Sequence, residues 1–265
     1  MLIAPDINPI AIQIGPLSIH WYGLMYLFGF AGGWLGLYYR SKKEDSGWTQ
    51  EEVSDVVFYL ALGVILGARL GYSLFYNPVY YAKHPLEILY IWQGGMSYHG
   101  GMLGTLVAIY FFARARGKGL LQAIDFLVPV APIGLFFGRI GNFINQELWG
   151  KVSDVPWAMV FKGAGPLPRH PSQLYESFLE GAVLFAIVWW FSSRKRPAGS
   201  VFGLYLMGYG LFRSLVEFVR VPDAHIGYLA FDWVTMGHVL SFPMFIIGAL
   251  LFYWSYWKEA TSNSV

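Results

Sequence analysis

The chain has 265 residues, 56% hydrophobic, 19% aromatic and only 13% charged, with a mean hydropathy of +0.46. A water-soluble domain carries about 25% charged residues, so this chain lacks the polar surface to cover itself and fits an integral membrane protein. A formal net charge of +2 gives no electrostatic support for nucleic-acid binding, and the absence of cysteine excludes disulfides, thiolate metal sites and a cysteine nucleophile.

In chain order, MLIAPDINPIAIQIG comes first. It has no basic residue ahead of its apolar part and contains Pro5, Pro9 and Gly15, so it lacks the plan of a cleavable signal peptide. Seven segments then follow that reach the roughly 20 apolar residues needed to cross a hydrocarbon core. They cover 19–39, 52–76, 97–114, 120–140, 173–192, 199–219 and 234–256. The expected fold is an all-α polytopic membrane protein, one transmembrane domain over 1–265.

The compact basic clusters set the expected orientation. Arg40, Lys42 and Lys43 follow the first segment, Arg114, Arg116 and Lys118 the third, Arg194, Lys195 and Arg196 the fifth, and Lys258 the seventh. All fall on one side, which the positive-inside rule assigns to the cytoplasm. The N-terminus is then outside, the C-terminus cytoplasmic, and the 141–172 stretch an extracytoplasmic loop or small head. Its glycines and prolines suit a movable loop, and a lid over the site is one expectation for it. Gly63, Gly67 and Gly71, and again Gly134 and Gly138, stand at the spacing that lets helix backbones approach closely in lipid.

Polar groups inside the segments are few and converge in depth. At about 1.5 Å rise per residue, Arg69 sits about 25 Å and Arg213 about 21 Å along their segments, both in the outer half. Arg139 ends the fourth segment at its outer edge. His20, Tyr22, His99, His170, Tyr175 and Glu176 begin segments on that same side. An ionisable residue near the centre of a span costs at least about 2.5–3.5 kcal/mol, so three arginines gathered with histidines in one leaflet point to a functional cavity.

Arginine presents a planar fork of donors that suits phosphate. The commonest phosphate at that depth is a lipid headgroup, so the site expected is of anionic-lipid size and opens outward. Several residues keep plainer readings. Glu217, four residues after Arg213, either orients it or forms a simple intrahelical pair. Tyr22 suits an interfacial aromatic belt as well as a site, Asn142 a helix C-cap and Gly150 a turn. His99, flanked by glycines in GGMSYHGG, is the side chain best poised to move a proton near neutral pH.

At these residues the chain resembles the bacterial phosphatidylglycerol–prolipoprotein diacylglyceryl transferase family. GRIGNFINQELWG (138–150) is similar to the family's signature, and HWYGLMY (20–26), GGMSYHGG (94–101), RHPSQLYE (169–176) and RSLVEFVRVPDAHIG (213–227) match its other landmarks in order. The resemblance covers nearly the whole chain. It implies a seven-span bundle with a small extracytoplasmic head in the bacterial plasma (inner) membrane, working toward the extracytoplasmic side. It implies that a diacylglyceryl group passes from phosphatidylglycerol to the lipobox cysteine of a prolipoprotein signal peptide, leaving a thioether and releasing glycerol phosphate. No metal or nucleotide cofactor is implied.

The residues that the resemblance implicates are Tyr22, His99, Arg139, Asn142, Glu147, Gly150, Arg213 and Glu217. Chemistry suggests how to divide them. His99, Arg139, Arg213 and Tyr22 form the expected catalytic set. Arg139 and Arg213, with Asn142, Asn145, Glu147, Gly150, Glu217 and His170, form the expected substrate-binding set. Two other classes compete. A transporter or flippase for an anionic lipid or solute would line both leaflets with polar groups and often repeat its halves. The inner leaflet here holds little beyond Asp125 and Glu180, and the halves are not alike. A scaffold that only binds other membrane proteins gives no reason for outer-leaflet arginines.

Overall fold

The computed structural model describes residues 2–222 and 227–262, the side chains of Gln93 and Tyr98 excepted. Asp223 to Ile226, within the RSLVEFVRVPDAHIG landmark, lie outside the described residues. The structure is mostly helical, at 65% helix. Two short strands, β1 (Leu2–Ile3) and β2 (Ile10–Ile14), lead to β3 (Leu17–His20) and then to α1 (Trp21–Ser41) and α2 (Gln50–Phe75). After α3 (Pro78–Lys83) and two 3₁₀ turns come α4 (Tyr98–Ala115), α5 (Leu120–Leu127) and α6 (Ala131–Ile144). Strand β4 (Met159–Val160) precedes α7 (Ser172–Glu176), a π-helical stretch (Ser177–Val183), α8 (Leu184–Phe191), α9 (Ser200–Glu217) and α10 (Met236–Ser262).

Each of the seven predicted segments falls on helix. Among the described residues, four helical stretches are long and apolar enough to cross a membrane: Gln50–Phe75, Leu120–Ile144, Ser172–Phe191 and Met236–Ser262. The 120–140 segment, expected as one run, is interrupted at Val128–Val130 by a 3₁₀ turn containing Pro129, with Pro132 opening α6. Proline lacks the N–H and crowds the preceding turn, which accounts for the break.

Contacts divide the chain into two compact units, Met1–Gly33 with Asp125–Val265, and Trp34–Ile124. In the Trp34–Ile124 unit, α2 and α4 pack backbone to backbone through the predicted glycine row. A Cβ added at Gly71 would lie 2.7 Å from the Gly100 Cα, and one at Gly63 would lie 2.6 Å from the Gly104 carbonyl oxygen. Only hydrogen fits there. A capping box starts α2: the Glu52 N–H donates to the Thr49 hydroxyl at 3.1 Å while the Glu52 carboxylate accepts the Thr49 N–H at 3.0 Å. The Glu52 carboxylate also meets Lys118 at 3.0 Å.

Arg69, on α2, has its guanidinium taken up by backbone. It is 3% exposed and donates to the backbone carbonyls of Glu87, Ile88, Gly94 and Gly95, lashing the 84–95 strap to its helix. The strap ends at Ser97, whose N–H donates to the Ala68 carbonyl at 2.9 Å and whose hydroxyl caps α4 by accepting the Gly100 N–H at 3.2 Å.

In the other unit, α9 and α10 pack as tightly. A Cβ at Gly203 would fall 2.8 Å from the Gly248 carbonyl oxygen, and one at Gly210 would fall 2.7 Å from that of Ser241. The predicted Gly134–Gly138 row behaves differently: a Cβ at either position meets nothing within 4 Å, and the close approach is made from Gly29 on α1, whose Cβ would lie 3.2 Å from the Gly134 Cα. The 141–172 loop folds with the N-terminal residues. Strand β1 pairs in parallel with β4, Leu2 against Met159, and β2 pairs with β3 as a hairpin. Asp125, the apparent inner-leaflet exception, accepts the N–H groups of Gly199 (2.6 Å) and Phe202 (2.8 Å) and so caps α9.

Candidate active site

The apolar helices of the Asp125–Val265 portion carry an unusual concentration of charge. Glu176 and Glu180 stand four residues apart where α7 runs into the π stretch, both 0% exposed. A lone buried carboxylate costs several kcal/mol in desolvation, so partners decide whether it belongs there. Glu176 has two. Its Oε1 accepts a hydrogen bond from Arg213 Nη1 at 2.7 Å, and its Oε2 lies 2.9 Å from Arg139 Nε in an ion-pair contact without hydrogen-bond alignment. Among the described residues, Glu180 makes one ion-pair contact, with Arg139 Nη2 at 3.9 Å, and neither of its oxygens takes a hydrogen bond.

Helix α9 supplies the opposite wall. Arg213 and Glu217, four residues apart, share one face of α9, and Arg220 follows just past the helix end. Glu217 Oε2 lies 2.7 Å from Arg213 Nη2 and 3.8 Å from Arg220 Nη1, while Glu217 Oε1 accepts the Thr235 hydroxyl at 2.7 Å. Thr235 also meets His238 Nδ1 at 3.1 Å. Arg220 Nε stands 3.8 Å from Glu176 Oε1. The intrahelical pair expected of Arg213 and Glu217 is therefore present, and Glu217 also faces a second arginine.

The signature stretch packs beside this cluster. Asn142 Nδ2 donates to Glu147 Oε1 at 2.7 Å, and Asn145 Nδ2 approaches the same oxygen at 3.5 Å. The chain reverses through Gln146 and Leu148, both at positive φ (52° and 58°), and is held from α7: Gln173 donates to the Glu147 carbonyl at 2.5 Å and Ser172 to that of Leu148 at 2.9 Å. Gly150 has no room for a side chain, since a Cβ would lie 2.6 Å from the Val219 carbonyl oxygen and 2.7 Å from the His170 Cβ. Its N–H donates to the His170 carbonyl at 2.9 Å and it bridges to Arg220, so it is more than a turn. Tyr22, at the start of α1, lays its ring against Gly141, where a Cβ would come within 2.8 Å of the Tyr22 Cδ2.

His170 is half-buried, and burial holds its imidazole below the usual histidine range. Its Nδ1 faces the Tyr175 hydroxyl at 3.1 Å, which also accepts the Trp157 indole N–H at 2.6 Å. His99 belongs to the Trp34–Ile124 unit. It is the second residue of α4, exposed, and lines a largely apolar cavity of about 520 Å³ with Gly67, Leu74 and Leu103. Among the described residues, no group of three histidine, aspartate or glutamate side chains is placed to hold a metal ion.

Arg139, Asn142, Asn145, Glu147, Gly150, Arg213 and Glu217 thus lie in one portion of the fold. Sequence reasoning counted Glu176 among the converging polar groups but gave it no role, and left Arg220, Thr235 and His238 out of the site. For Glu176 a signal existed: a glutamate inside an apolar segment, repeated one turn later at Glu180. For Arg220 it was the i+7 spacing from Arg213. Chemically, guanidinium groups held in place by carboxylates are preorganised donors suited to charge growing on a phosphate.

The protein-family model described as prolipoprotein diacylglyceryl transferase matches residues 9–254. A phosphatidylglycerol–prolipoprotein diacylglyceryl transferase of Pseudomonas paraeruginosa is 58% identical over 260 residues, 98% of each chain. Proteins of the same name from Nitratidesulfovibrio vulgaris and Coxiella burnetii are 57% identical over 251 residues (95% of each chain) and 53% identical over 256 residues (97% of this chain, 98% of the relative).

Proposed function

The chain belongs to the prolipoprotein diacylglyceryl transferase family, and on that premise we propose that it moves the diacylglyceryl group of phosphatidylglycerol onto the lipobox cysteine of a prolipoprotein. The observation that carries this reading is the 58% identity maintained over 98% of both chains. The arginine cluster supports it on physical grounds.

In the reaction a cysteine sulfur attacks the glycerol carbon that bears the phosphate ester. A C–S bond forms, the C–O bond breaks, and glycerol phosphate departs with the electron pair. The thiol proton passes to a base. Free thiols ionise near pH 8.5, so a base or a positive field aids the attack at neutral pH. By side-chain type His99 is the natural candidate for the base, and an arginine field that favours the thiolate is the alternative. Arg139 and Arg213 take the departing phosphate; negative charge grows there in the transition state, and fixed cations aimed at it lower the barrier.

Asn142, Asn145 and Glu147 bind headgroup hydroxyls and phosphate oxygens. Glu217 holds Arg213, Gly150 keeps the signature turn against 219–220, and Tyr22 and His170 border the substrates. The absence of cysteine from the chain agrees with direct transfer rather than a diacylglyceryl thioether on the enzyme.

The seven helical segments form one transmembrane domain in the bacterial plasma (inner) membrane. The N-terminus and the 141–172 head are extracytoplasmic, where the site works, and the C-terminus is cytoplasmic; the one-sided Lys/Arg clusters support this orientation. Purified protein with phosphatidylglycerol and a synthetic lipobox peptide tests the activity by mass spectrometry. The peptide is expected to gain a diacylglyceryl group, and a Cys→Ser peptide none. No gain with folded, lipid-binding protein would overturn the reading in favour of lipid transport.

A further inference from the structure

We propose that Glu176 is a positioning residue for the transfer reaction: one buried carboxylate that fixes Arg139 and Arg213 relative to each other and so aims both at the departing phosphate. The inference rests on the assignment of those two arginines to the phosphate.

Glu176 is 0% exposed, so solvent and substrate do not reach it. Its two oxygens serve two different helices, Arg213 of α9 at 2.7 Å and Arg139 of α6 at 2.9 Å. Two guanidinium groups brought to one phosphate repel each other, and a shared carboxylate between them both offsets the repulsion and sets their spacing. The carboxylate itself is firmly seated. Three residues before it, Gln173 is tied to the Glu147 carbonyl, and Ser172 to that of Leu148, so the helix bearing Glu176 is fastened to the segment bearing Asn142 and Glu147. Replacing the Glu176 side chain alone would therefore release both arginines and leave these ties to the amide-bearing segment in place.

Glu180 provides an internal control. It lies one turn further on, equally buried and of the same charge, yet it takes no hydrogen bond and its one arginine contact is 3.9 Å away. A merely structural need for buried negative charge would make the two glutamates alike. A positioning role makes them differ.

The test compares full-length Glu176→Gln and Glu180→Gln in detergent, measuring kcat and the phosphatidylglycerol KM separately, with thermal unfolding alongside. Glu176→Gln is expected to lower kcat on the order of 100-fold while KM stays within about threefold, because the loss falls on the transition state rather than on ground-state binding. Glu180→Gln is expected to stay within about threefold on both. Equal losses in the two variants, or a Glu176→Gln loss carried by KM alone, would overturn the proposal.

Should Glu176→Gln fail to fold, Glu176→Asp keeps the charge but is one methylene short of spanning both arginines. An intermediate kcat supports the proposal and a wild-type kcat overturns it. Arg139→Ala and Arg213→Ala separate the two levels: wild-type turnover in both defeats the arginine assignment, whereas their loss together with a Glu176 variant indistinguishable from its Glu180 counterpart defeats this inference alone.

Discussion

Two buried arginine environments in this protein solve the same desolvation problem in opposite ways. Arg69 gives its fork entirely to backbone: the carbonyls of Glu87, Ile88, Gly94 and Gly95 surround it, and no carboxylate among its hydrogen-bond partners offsets its charge. Arg139 and Arg213 instead face carboxylates, Glu176 between them and Glu217 beyond. Carbonyl dipoles satisfy donors and pin a strap in place. Carboxylates hold a guanidinium by charge and can share it with a passing anion. Depth in the bilayer is therefore a poor guide to an arginine's work; the kind of acceptor it meets is the better one.

The sharpest way to break this contrast is Arg213→Lys. Lysine carries the charge as a point and cannot span Glu176 and Glu217 together. Transfer to a lipobox peptide, followed by mass spectrometry, is expected to fall about 10²–10³-fold. Near-normal transfer would mean that charge alone, and not the fork, is required.

Arg69→Gln probes the other environment. Loss of charge-assisted bonds to four carbonyls is expected to lower stability by about 2–4 kcal/mol, read by denaturant unfolding in detergent, and to open 84–95 to protease. Transfer per folded molecule is expected to change by less than about threefold. Abolished transfer at unchanged stability would place Arg69 with the chemistry after all.

The smallest effect belongs to the head, at His170. Burial lowers its proton affinity, so the unfolded chain binds the proton more readily. Its contribution to stability is full above the ordinary histidine value of about 6.5 and is lost as pH falls through the lower folded value. The unfolding midpoint is expected to drop slightly between about pH 7 and 5, and less so in His170→Gln. Identical profiles would show that His170 does not report this burial.

The sequence made the helical segments legible because about 20 consecutive apolar residues admit few other structures. The glycine row on α2 was equally plain. Spacing gives Arg69 a depth but not its acceptors, and the strap that supplies its carbonyls comes from 18 to 26 residues away. The break at Val128–Val130 was signalled by Pro129 and Pro132, though hydropathy alone runs straight through it. Pairing of Leu2 with Met159 had no local signature, since two-residue strands far apart in sequence leave no period to read. Most of the arginine cluster was visible through its motifs. Glu176 was visible as an oddity, and what it holds became clear only once Arg139 and Arg213 were seen on either side of it.

The π-helical stretch Ser177–Val183 carries a consequence for how such chains change over generations. Its wide turn presses on α6, where a Cβ on Gly181 would fall 2.7 Å from that of Phe136 and Ser177 donates to the Phe136 carbonyl at 3.1 Å. A π turn holds one residue more than regular helix, so returning this stretch to α geometry with the same residues would rotate everything beyond it by about 100°. Glu176 would keep its bearing as α8 turned away from its neighbours. The constraint falls on turn width and length together: at this residue count the ruler between Glu176 and Leu184 must keep its wide turn, and substitutions that tighten it to regular helix would misplace α8.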